Sequence, residues 1–271
     1  MSHFAITIPV SGDQAEILIA QLATVGFEGF EEQETQLVAF IPESDFDEQV
    51  LQEMLGTNLS YTKELIQQQN WNAVWESNFD PVLVDDFCGI RADFHPAFDP
   101  APQHVIEITP KMSFGTGHHA TTSSMIRLMR DISFEGKTVF DFGTGTGILA
   151  ILAEKLGAKE VDAIDYDEWA VNNTKENLEA NHTTKIQVWQ ADNLDAISKK
   201  YDILLANINF NVLLQYMADM RRILSPGGIL LLSGIMPTDE TQIVAAATPH
   251  GFHLQQRIEK NNWLALQFNV Q

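Results

Sequence analysis

The first 66 residues alternate between the hydrophobic spacing of strands and that of helices. Residues 4–9 alternate apolar and polar positions, whereas the apolar residues of 13–25 recur at helical spacing. The same reasoning predicts strands at residues 4–9, 27–32, 35–41 and 59–66 and helices at residues 13–25 and 45–55. The order β-α-β-β-α-β is typical of the ferredoxin-like arrangement, so we expect residues 1–66 to form a small α+β domain.

Regular spacing weakens between residues 67 and 110, where prolines recur. We interpret this stretch as a linker or connecting region. Within it, Trp71, Trp75 and Phe79 recur every four residues, which is the spacing of one helix face. The series predicts a helical face packed on the neighbouring domain, and a stripe that binds a partner is the alternative.

From residue 138 onward, strand and helix patterns alternate. Strands are predicted at residues 138–142, 161–164, 185–190, 203–208 and 228–233, and helices at 148–155, 169–181, 212–224 and 238–248. Such alternation predicts a parallel sheet with helices on both faces. Residues 252–259 and 263–270 flank Lys260-Asn261-Asn262, a hairpin signal that adds an antiparallel pair at one edge. We therefore expect an α/β, Rossmann-like domain of seven strands over residues 111–271.

The balance of charge is strongly acidic, which narrows the range of partners. The 271 residues include 37 Asp and Glu against 16 Lys and Arg, a formal net charge of −21. This charge repels a phosphate backbone and attracts basic partners, although acidity that serves only solubility explains it equally well. We expect a basic protein as partner and no direct binding of nucleic acid.

The remaining composition predicts a cytoplasmic protein with no membrane segment. Hydrophobic residues make up 45% of the chain, yet no stretch approaches eighteen apolar residues, and residues 1–10 lack the features of a signal peptide. Cys88 cannot form an internal disulfide, and we expect it to be a small buried apolar side chain. We also expect a monomer.

A glycine-rich loop follows the first strand of the alternating region. In a doubly wound sheet, ligands bind beyond the carboxyl ends of the strands. Gly143, Gly145 and Gly147 lack side chains where a ligand must contact backbone, and Asp141 can contact a cationic or amine group. Asp165 lies 22 residues after Gly143 and can accept from both hydroxyls of a ribose. The arrangement predicts a nucleoside pocket, since a tight turn alone explains the glycines but not Asp165.

The spacing of the glycines distinguishes two cofactors. The dinucleotide fingerprint G-x-G-x-x-G requires glycine at position 148, where this chain has Ile148. The pattern therefore favours S-adenosylmethionine over NAD. Asp192, just past the third strand, is placed to accept from an adenine amino group, and a solvated aspartate in a turn is the alternative interpretation.

Two further segments contribute candidate residues. Asn207 ends the fourth strand, where its amide oxygen can accept from the cofactor or a substrate nitrogen; capping the next helix is the alternative. Residues 111–122, ahead of a helix at 123–129, combine two glycines with threonine hydroxyls and predict a lid. Because His118 and His119 have no carboxylate or cysteine at ligand spacing, we expect no metal.

These segments together are similar to the motifs of one methyltransferase family. They are FGTGHHATT at 114–122, DFGTGTGILA at 141–150, AIDYD at 163–167, ANI at 206–208 and LSGI at 232–235. They resemble the PrmA family, which methylates ribosomal protein L11 of the bacterial large subunit, from about residue 71 to residue 268. The resemblance implies an S-adenosylmethionine-dependent methyltransferase domain with cofactor contacts at Thr122, Gly143, Asp165 and Asn207. It also implies that the N-terminal domain recognises the substrate protein.

We therefore hypothesise in-line attack of a neutral lysine or N-terminal amine on the sulfonium methyl group, with Asn207 as the candidate catalytic residue. One alternative is a methyltransferase that acts on glutamine, adenine or a small molecule. Such relatives typically show Asn-Pro-Pro-aromatic, where this chain has Ile208 and Asn209 in place of the prolines. A second alternative is a scaffold that binds the cofactor without catalysis and acts through its N-terminal domain.

Overall fold

The computed structural model describes residues 2–10, 12–56, 59–66, 79–109 and 115–271. The chain divides into two compact units, Met1–Asn78 and Phe79–Gln271. Among the described residues, no helix is long and apolar enough to cross a membrane.

In the part that the structure describes, the first unit contains four strands and two α-helices in the predicted order β-α-β-β-α-β, which confirms that prediction. They are β1 (His3–Ile8), α1 (Asp13–Leu22), β2 (Gly29–Glu32), β3 (Leu37–Pro42), α2 (Glu48–Leu55) and β4 (Thr62–Ile66). The strands pair antiparallel in the order β2-β3-β1-β4. Asp47 caps α2 because its side chain accepts from the backbone N–H groups of Gln49 and Val50. Ile6, Ile8 and apolar residues of both helices form one buried core.

Residues 79–109, which the sequence pattern assigned to a connecting region, form a small sheet within the second unit. Its strands are β5 (Val82–Val84), β6 (Cys88–Arg91) and β7 (His104–Glu107). Strands of three or four residues are too short to show a period, and prolines interrupt the stretch between them. Cys88 is fully buried, and burial raises the pKa of its thiol to about 12. Trp71 and Trp75 of the predicted helical face lie outside the described residues.

The second unit is built on a sheet of seven strands, as predicted. Its strands are β8 (Thr138–Phe142), β9 (Glu160–Asp165), β10 (Ile186–Gln190), β11 (Tyr201–Asn207), β12 (Leu224–Ile235), β13 (Phe252–Lys260) and β14 (Trp263–Val270). The order is β10-β9-β8-β11-β12-β14-β13, and β13 and β14 form the predicted antiparallel hairpin at one edge. The other strands run parallel. Strand order reverses between β8 and β11, so a ligand cleft is expected at their carboxyl ends.

Helices cover both faces of this sheet. They are α3 (Ala120–Arg130), α4 (Ile148–Lys155), α5 (Glu168–Ala180), α6 (Phe210–Gln215), α7 (Met217–Ile223) and α8 (Glu240–Ala247). The single helix predicted at residues 212–224 is divided in two at Tyr216, whose hydroxyl donates to the backbone oxygen of Asp192. Side chains alternate along the strands, so that Val139 joins one hydrophobic cluster and Phe140 the other.

One carboxylate that is buried within the large sheet accepts two hydrogen bonds from side chains. Asp162 of β9 accepts hydrogen bonds from the Tyr201 hydroxyl at 2.7 Å and from Nζ of Lys199 at 2.8 Å. Its side chain is 8% exposed. Because an unpaired buried charge is costly, the tyrosine hydroxyl contributes to stability through this carboxylate. Burial, together with the hydrogen bond to this carboxylate, raises the pKa of Tyr201, so its hydroxyl stays protonated as the donor.

Replacing Tyr201 by phenylalanine tests this contribution. We expect Tyr201→Phe to lower the free energy of unfolding by about 1.5–3 kcal/mol, the range for losing a hydrogen bond to a charged group. The matched control is Tyr216→Phe, which removes a hydroxyl whose bond of 3.2 Å to a backbone carbonyl is exposed. It should change the free energy by less than about 0.5 kcal/mol. Urea unfolding measures both, and equal losses would contradict the role of Asp162.

Candidate functional site

A cavity of about 770 Å³ lies at the carboxyl ends of β8, β9 and β11. Its wall includes six of the seven residues that the sequence proposed for the cofactor: Thr122, Gly143, Gly145, Asp165, Asp192 and Asn207. These residues come from α3, the glycine loop and the ends of three strands. The fold thus brings together side chains that are widely separated in the sequence, at the point where strand order reverses.

The glycine loop adopts backbone angles that favour glycine. Gly143, Gly145 and Gly147 have φ of 76°, 59° and 80°. A Cβ on Gly143 would also overlap the side chain of Ile208, and one on Gly147 would lie 2.8 Å from Cγ2 of Thr174. The loop therefore needs glycine both for its conformation and for the close approach of its neighbours.

Asp141 is the one proposed cofactor residue that does not line the cavity. It is 1% exposed, and its Oδ2 accepts from the Thr144 hydroxyl at 2.7 Å. Oδ1 makes no hydrogen bond of good geometry with the described residues, although the backbone N–H of Ala150 lies close enough to the carboxyl to oppose the rise of its pKa. Burial raises the pKa of this carboxyl to about 7, and the nearby Asp165 carboxylate adds to the rise. Asp141 is therefore a buried group with unused hydrogen-bonding capacity directly beneath the glycine loop.

Asp165 is held in place by backbone donors. Its Oδ2 accepts from the N–H of Gly145 at 2.9 Å, and its Oδ1 accepts from the N–H of Asp167 at 3.1 Å. Because each carboxylate oxygen can accept more than one hydrogen bond, both oxygens can still accept from a ligand hydroxyl. Asp192 also lines the cavity, but it is exposed, and its Oδ1 accepts from Nδ2 of Asn193 at 2.7 Å.

The amide of Asn207 is oriented by Thr122. Nδ2 of Asn207 lies 3.4 Å from the Thr122 hydroxyl, a long hydrogen bond, whereas its buried Oδ1 has no donor among the described residues. The helix that follows is capped instead by Asn209, whose Oδ1 accepts from the N–H of Val212 at 3.2 Å. Capping therefore does not explain Asn207, a residue of the cavity wall whose amide oxygen is shielded from solvent and is unpaired within the described part of the chain.

The segment ahead of α3 lies against the glycine loop. Gly115 lines the cavity, and its carbonyl accepts from the Thr146 hydroxyl at 2.6 Å. A Cβ on Gly115, whose φ is 103°, would lie 2.9 Å from that hydroxyl. His119 caps α3 by accepting from the N–H of Thr121, also part of the wall. Residues 111–114 of the predicted lid lie outside the described residues.

Sequence reasoning missed several residues of the wall, of which Trp263 is the largest. Trp263 begins β14, directly after the hairpin residues Asn261 and Asn262, both of which have positive φ. Its ring contacts that of His119, with centroids 4.8 Å apart. Only the position of an aromatic residue beside a hairpin turn could have drawn attention to it, because the contact joins distant parts of the chain.

The cavity fits a nucleoside that carries a cationic centre. The glycine loop supplies a surface without side chains, and Asp165 supplies a carboxylate for paired hydroxyls. The unpartnered oxygen of Asp141 suits a positive charge, because a cation favours the ionised form of a buried carboxyl. S-adenosylmethionine combines these chemical features. Among the described residues, no group of three or more His, Cys, Asp and Glu is arranged to hold a metal ion.

Comparison with known proteins identifies the family. The family model for ribosomal protein L11 methyltransferase (PrmA) matches residues 9–271. A ribosomal protein L11 methyltransferase of Porphyromonas gingivalis is 44% identical over 261 residues, which cover 93% of this chain and 90% of that protein. One of Phocaeicola vulgatus is 39% identical over 270 residues, which cover 97% of this chain and 96% of that protein.

A solved structure gives the same result. The crystal structure of a ribosomal protein L11 methylase from Lactobacillus delbrueckii subsp. bulgaricus aligns with a TM-score of 0.65 and 27% sequence identity. The alignment covers 71% of this chain and 100% of that chain. Since the family model spans nearly the whole sequence, the chain belongs to the ribosomal protein L11 methyltransferase (PrmA) family of S-adenosylmethionine-dependent methyltransferases.

Proposed function

We propose that this enzyme methylates lysine and N-terminal amines of ribosomal protein L11. The observation that carries the proposal is the unpartnered amide oxygen of Asn207, which lies in the same cavity wall as the glycine loop. A hydrogen-bond acceptor at this place suits a substrate that presents an N–H group. The relatives that carry the name of this substrate match more than nine-tenths of the chain, which supports the choice of L11.

In this proposal, Asn207 orients the substrate nitrogen. The hydroxyl of Thr122 accepts from Nδ2 of Asn207. The amide oxygen of Asn207 is then left to accept from the substrate amine, and this hydrogen bond orients the lone pair of the amine nitrogen. When bound, S-adenosylmethionine supplies a sulfonium methyl group whose carbon–sulfur bond breaks as the amine nitrogen bonds to the carbon. The cavity must also favour the neutral amine, whose reference pKa is about 10.4 for lysine, and desolvation by its walls acts in that direction. Alignment then provides most of the rate enhancement.

The other wall residues have separate roles in the proposal. Asp165 accepts from the ribose hydroxyls, Gly143 and Gly145 allow the cofactor to contact backbone, and Asp192 accepts from the adenine amino group. Asp141 does not touch the cavity surface, so we propose that it acts on the cationic part of the cofactor through its charge beneath the loop. Thr122 contributes through its contact with Asn207.

The charge of the first unit supports a basic protein as substrate. Residues 1–78 contain 13 Asp and Glu and a single basic residue other than histidine, Lys63. Such a surface attracts a basic ribosomal protein and repels nucleic acid, so we propose protein recognition by this unit without direct binding of RNA. We further propose that the enzyme acts in the cytoplasm, where ribosomes are assembled, and that it acts as a monomer.

The proposal is tested by incubating the enzyme with labelled S-adenosylmethionine and purified large ribosomal subunits or their separated proteins. We expect label on one small basic protein, identified as L11 by mass spectrometry, with the added methyl groups on amines. Label in RNA or on a glutamine would instead support the alternative methyltransferase. No transfer, with normal cofactor binding, would support the scaffold.

Asn207→Ala tests the residue that carries the proposal. We expect kcat for methylation of L11 to fall roughly 100-fold, because the nitrogen loses the acceptor that aligns it. The dissociation constant of S-adenosylmethionine should change much less, by about 3-fold at most. Asn172→Ala, on the exposed side of α5, is the matched control and should leave both values unchanged. A wild-type kcat in Asn207→Ala would remove Asn207 from the mechanism.

Asp141 predicts a pH dependence of cofactor binding. Burial raises the pKa of Asp141 to about 7 from 3.8. Between these two pH values the folded protein keeps a proton that the unfolded chain has released, so the contribution of Asp141 to stability falls as pH rises. A cationic cofactor favours the carboxylate, so binding should release that proton and tighten between pH 5.5 and pH 7. Calorimetry in buffers of different ionisation enthalpy measures the released proton. Asp141→Asn should release none and bind with a flatter pH profile.

A further inference from the structure

Three asparagines follow one another along a single face of α5. Asn173 and Asn177 are one turn apart on the helix, and Asn181 is the residue that ends it. Asn173 and Asn177 are almost fully buried, at 1% and 0% exposure. Buried amide side chains need both a donor and an acceptor. Backbone groups of two other segments supply them to Asn177, whereas Oδ1 of Asn173 has no donor among the described residues.

The first of these segments is the chain at the end of β7. Asn181 pairs with both backbone groups of Glu107, accepting at 3.0 Å and donating to the carbonyl at 2.6 Å. Asn177 accepts from the N–H of Thr109 at 2.7 Å, and Asn173 donates to the Thr109 carbonyl at 3.2 Å. Because β7 is an edge strand of the small sheet, these amides take the place of a neighbouring strand.

The second segment is the glycine loop. Nδ2 of Asn177 donates to the carbonyl of Thr146 at 2.8 Å, and the hydroxyl of Thr174 donates to the carbonyl of Gly145, also at 2.8 Å. Two consecutive peptide groups of the loop are thus fixed from α5. The preceding peptide group, which carries the N–H of Gly145, bonds to the carboxylate of Asp165.

Asn177 is the one asparagine of the three that bonds to both segments in the described part of the chain. The Thr146 residue that it holds donates in turn to the carbonyl of Gly115, ahead of α3. Asn177 therefore connects Thr109, the glycine loop and, through Thr146, the segment that begins at Gly115. It does so without lining the cavity.

We propose that Asn177 is a positioning residue that sets the affinity for S-adenosylmethionine by fixing the glycine loop. The amide donates to the loop and accepts from Thr109, so it holds the loop carbonyl in one orientation. Loss of the donor leaves that buried carbonyl unpaired and frees the peptide group to rotate. The cofactor then has to order the loop as it binds, and its affinity falls.

Asn177→Asp tests the proposal because it keeps the shape of the side chain and the acceptor for Thr109 but removes the donor to Thr146. At pH 8 we expect the dissociation constant of S-adenosylmethionine, measured by calorimetry, to rise about 10-fold or more over the wild type. At pH 5.5 the buried carboxyl is protonated and can donate again. The ratio of variant to wild-type constants should therefore fall to within about 3-fold.

Asn181→Asp is the matched control. It removes the donor to the Glu107 carbonyl, also from a side chain of α5, but has no hydrogen bond to the glycine loop. We expect it to lower Tm while the dissociation constant at pH 8 stays within about 2-fold of the wild type. If the role of Asn177 were merely structural, the two variants would behave alike: both would have a lower Tm, and neither would bind S-adenosylmethionine more weakly. That result would overturn the proposal. A loss of affinity in Asn177→Asp would also overturn it if the ratio of variant to wild-type dissociation constants were the same at both pH values.

Thr174→Val keeps the proposal testable if Asn177→Asp does not fold. The substitution preserves the methyl group against Gly147 and removes only the hydroxyl that donates to the Gly145 carbonyl. We expect weaker cofactor binding at every pH, because valine cannot regain a donor; wild-type affinity in Thr174→Val would overturn the role of the α5 contacts. The measurement concerns the cofactor alone, so it is independent of whether L11 is the substrate.

Discussion

The arrangement of the cavity depends on hydrogen bonds that fix the loop after β8. Glycines with positive φ give this loop its path, but glycine also gives it the most freedom to leave that path. Its peptide groups are therefore held from outside: by Asp165 at the end of β9, and by Thr174 and Asn177 of α5. The loop and the carboxylate of Asp165 are thus positioned together, because Asp165 bonds directly to the loop.

Of the buried side-chain oxygens that have no partner among the described residues, two have a chemical use at this site. Oδ1 of Asp141 lies beneath the loop, and Oδ1 of Asn207 lies in the cavity wall. Leaving such groups unpaired costs about 1–3 kcal/mol each, a cost that ligand binding can relieve. The cationic cofactor suits the first oxygen, and an N–H of the substrate suits the second. Recognition and stability are therefore coupled at this site.

The small sheet formed by β5, β6 and β7 does more than enlarge the hydrophobic core of the second unit. The chain that follows its edge strand reaches Thr109. The side-chain amide of Asn177 bonds both to Thr109 and to the glycine loop, and so holds the two together. A segment that the sequence pattern treats as a connection is thus part of the support of the cofactor site. The acidic first unit, with Lys63 as its single lysine and no arginine, contributes charge that suits a basic substrate.

The sequence alone was enough to predict the elements of the large sheet, the glycine loop, Asp165 and Asn207, because these depend on local spacing and on strand ends. It could not predict the short strands β5–β7, which have too few residues to show a period, nor the pairing of Trp263 with His119. Only the tertiary structure revealed that Asp141 lies beneath the loop and that Asn177 holds it. These facts depend on contacts between segments far apart in the chain, and a one-dimensional pattern carries no distance between them.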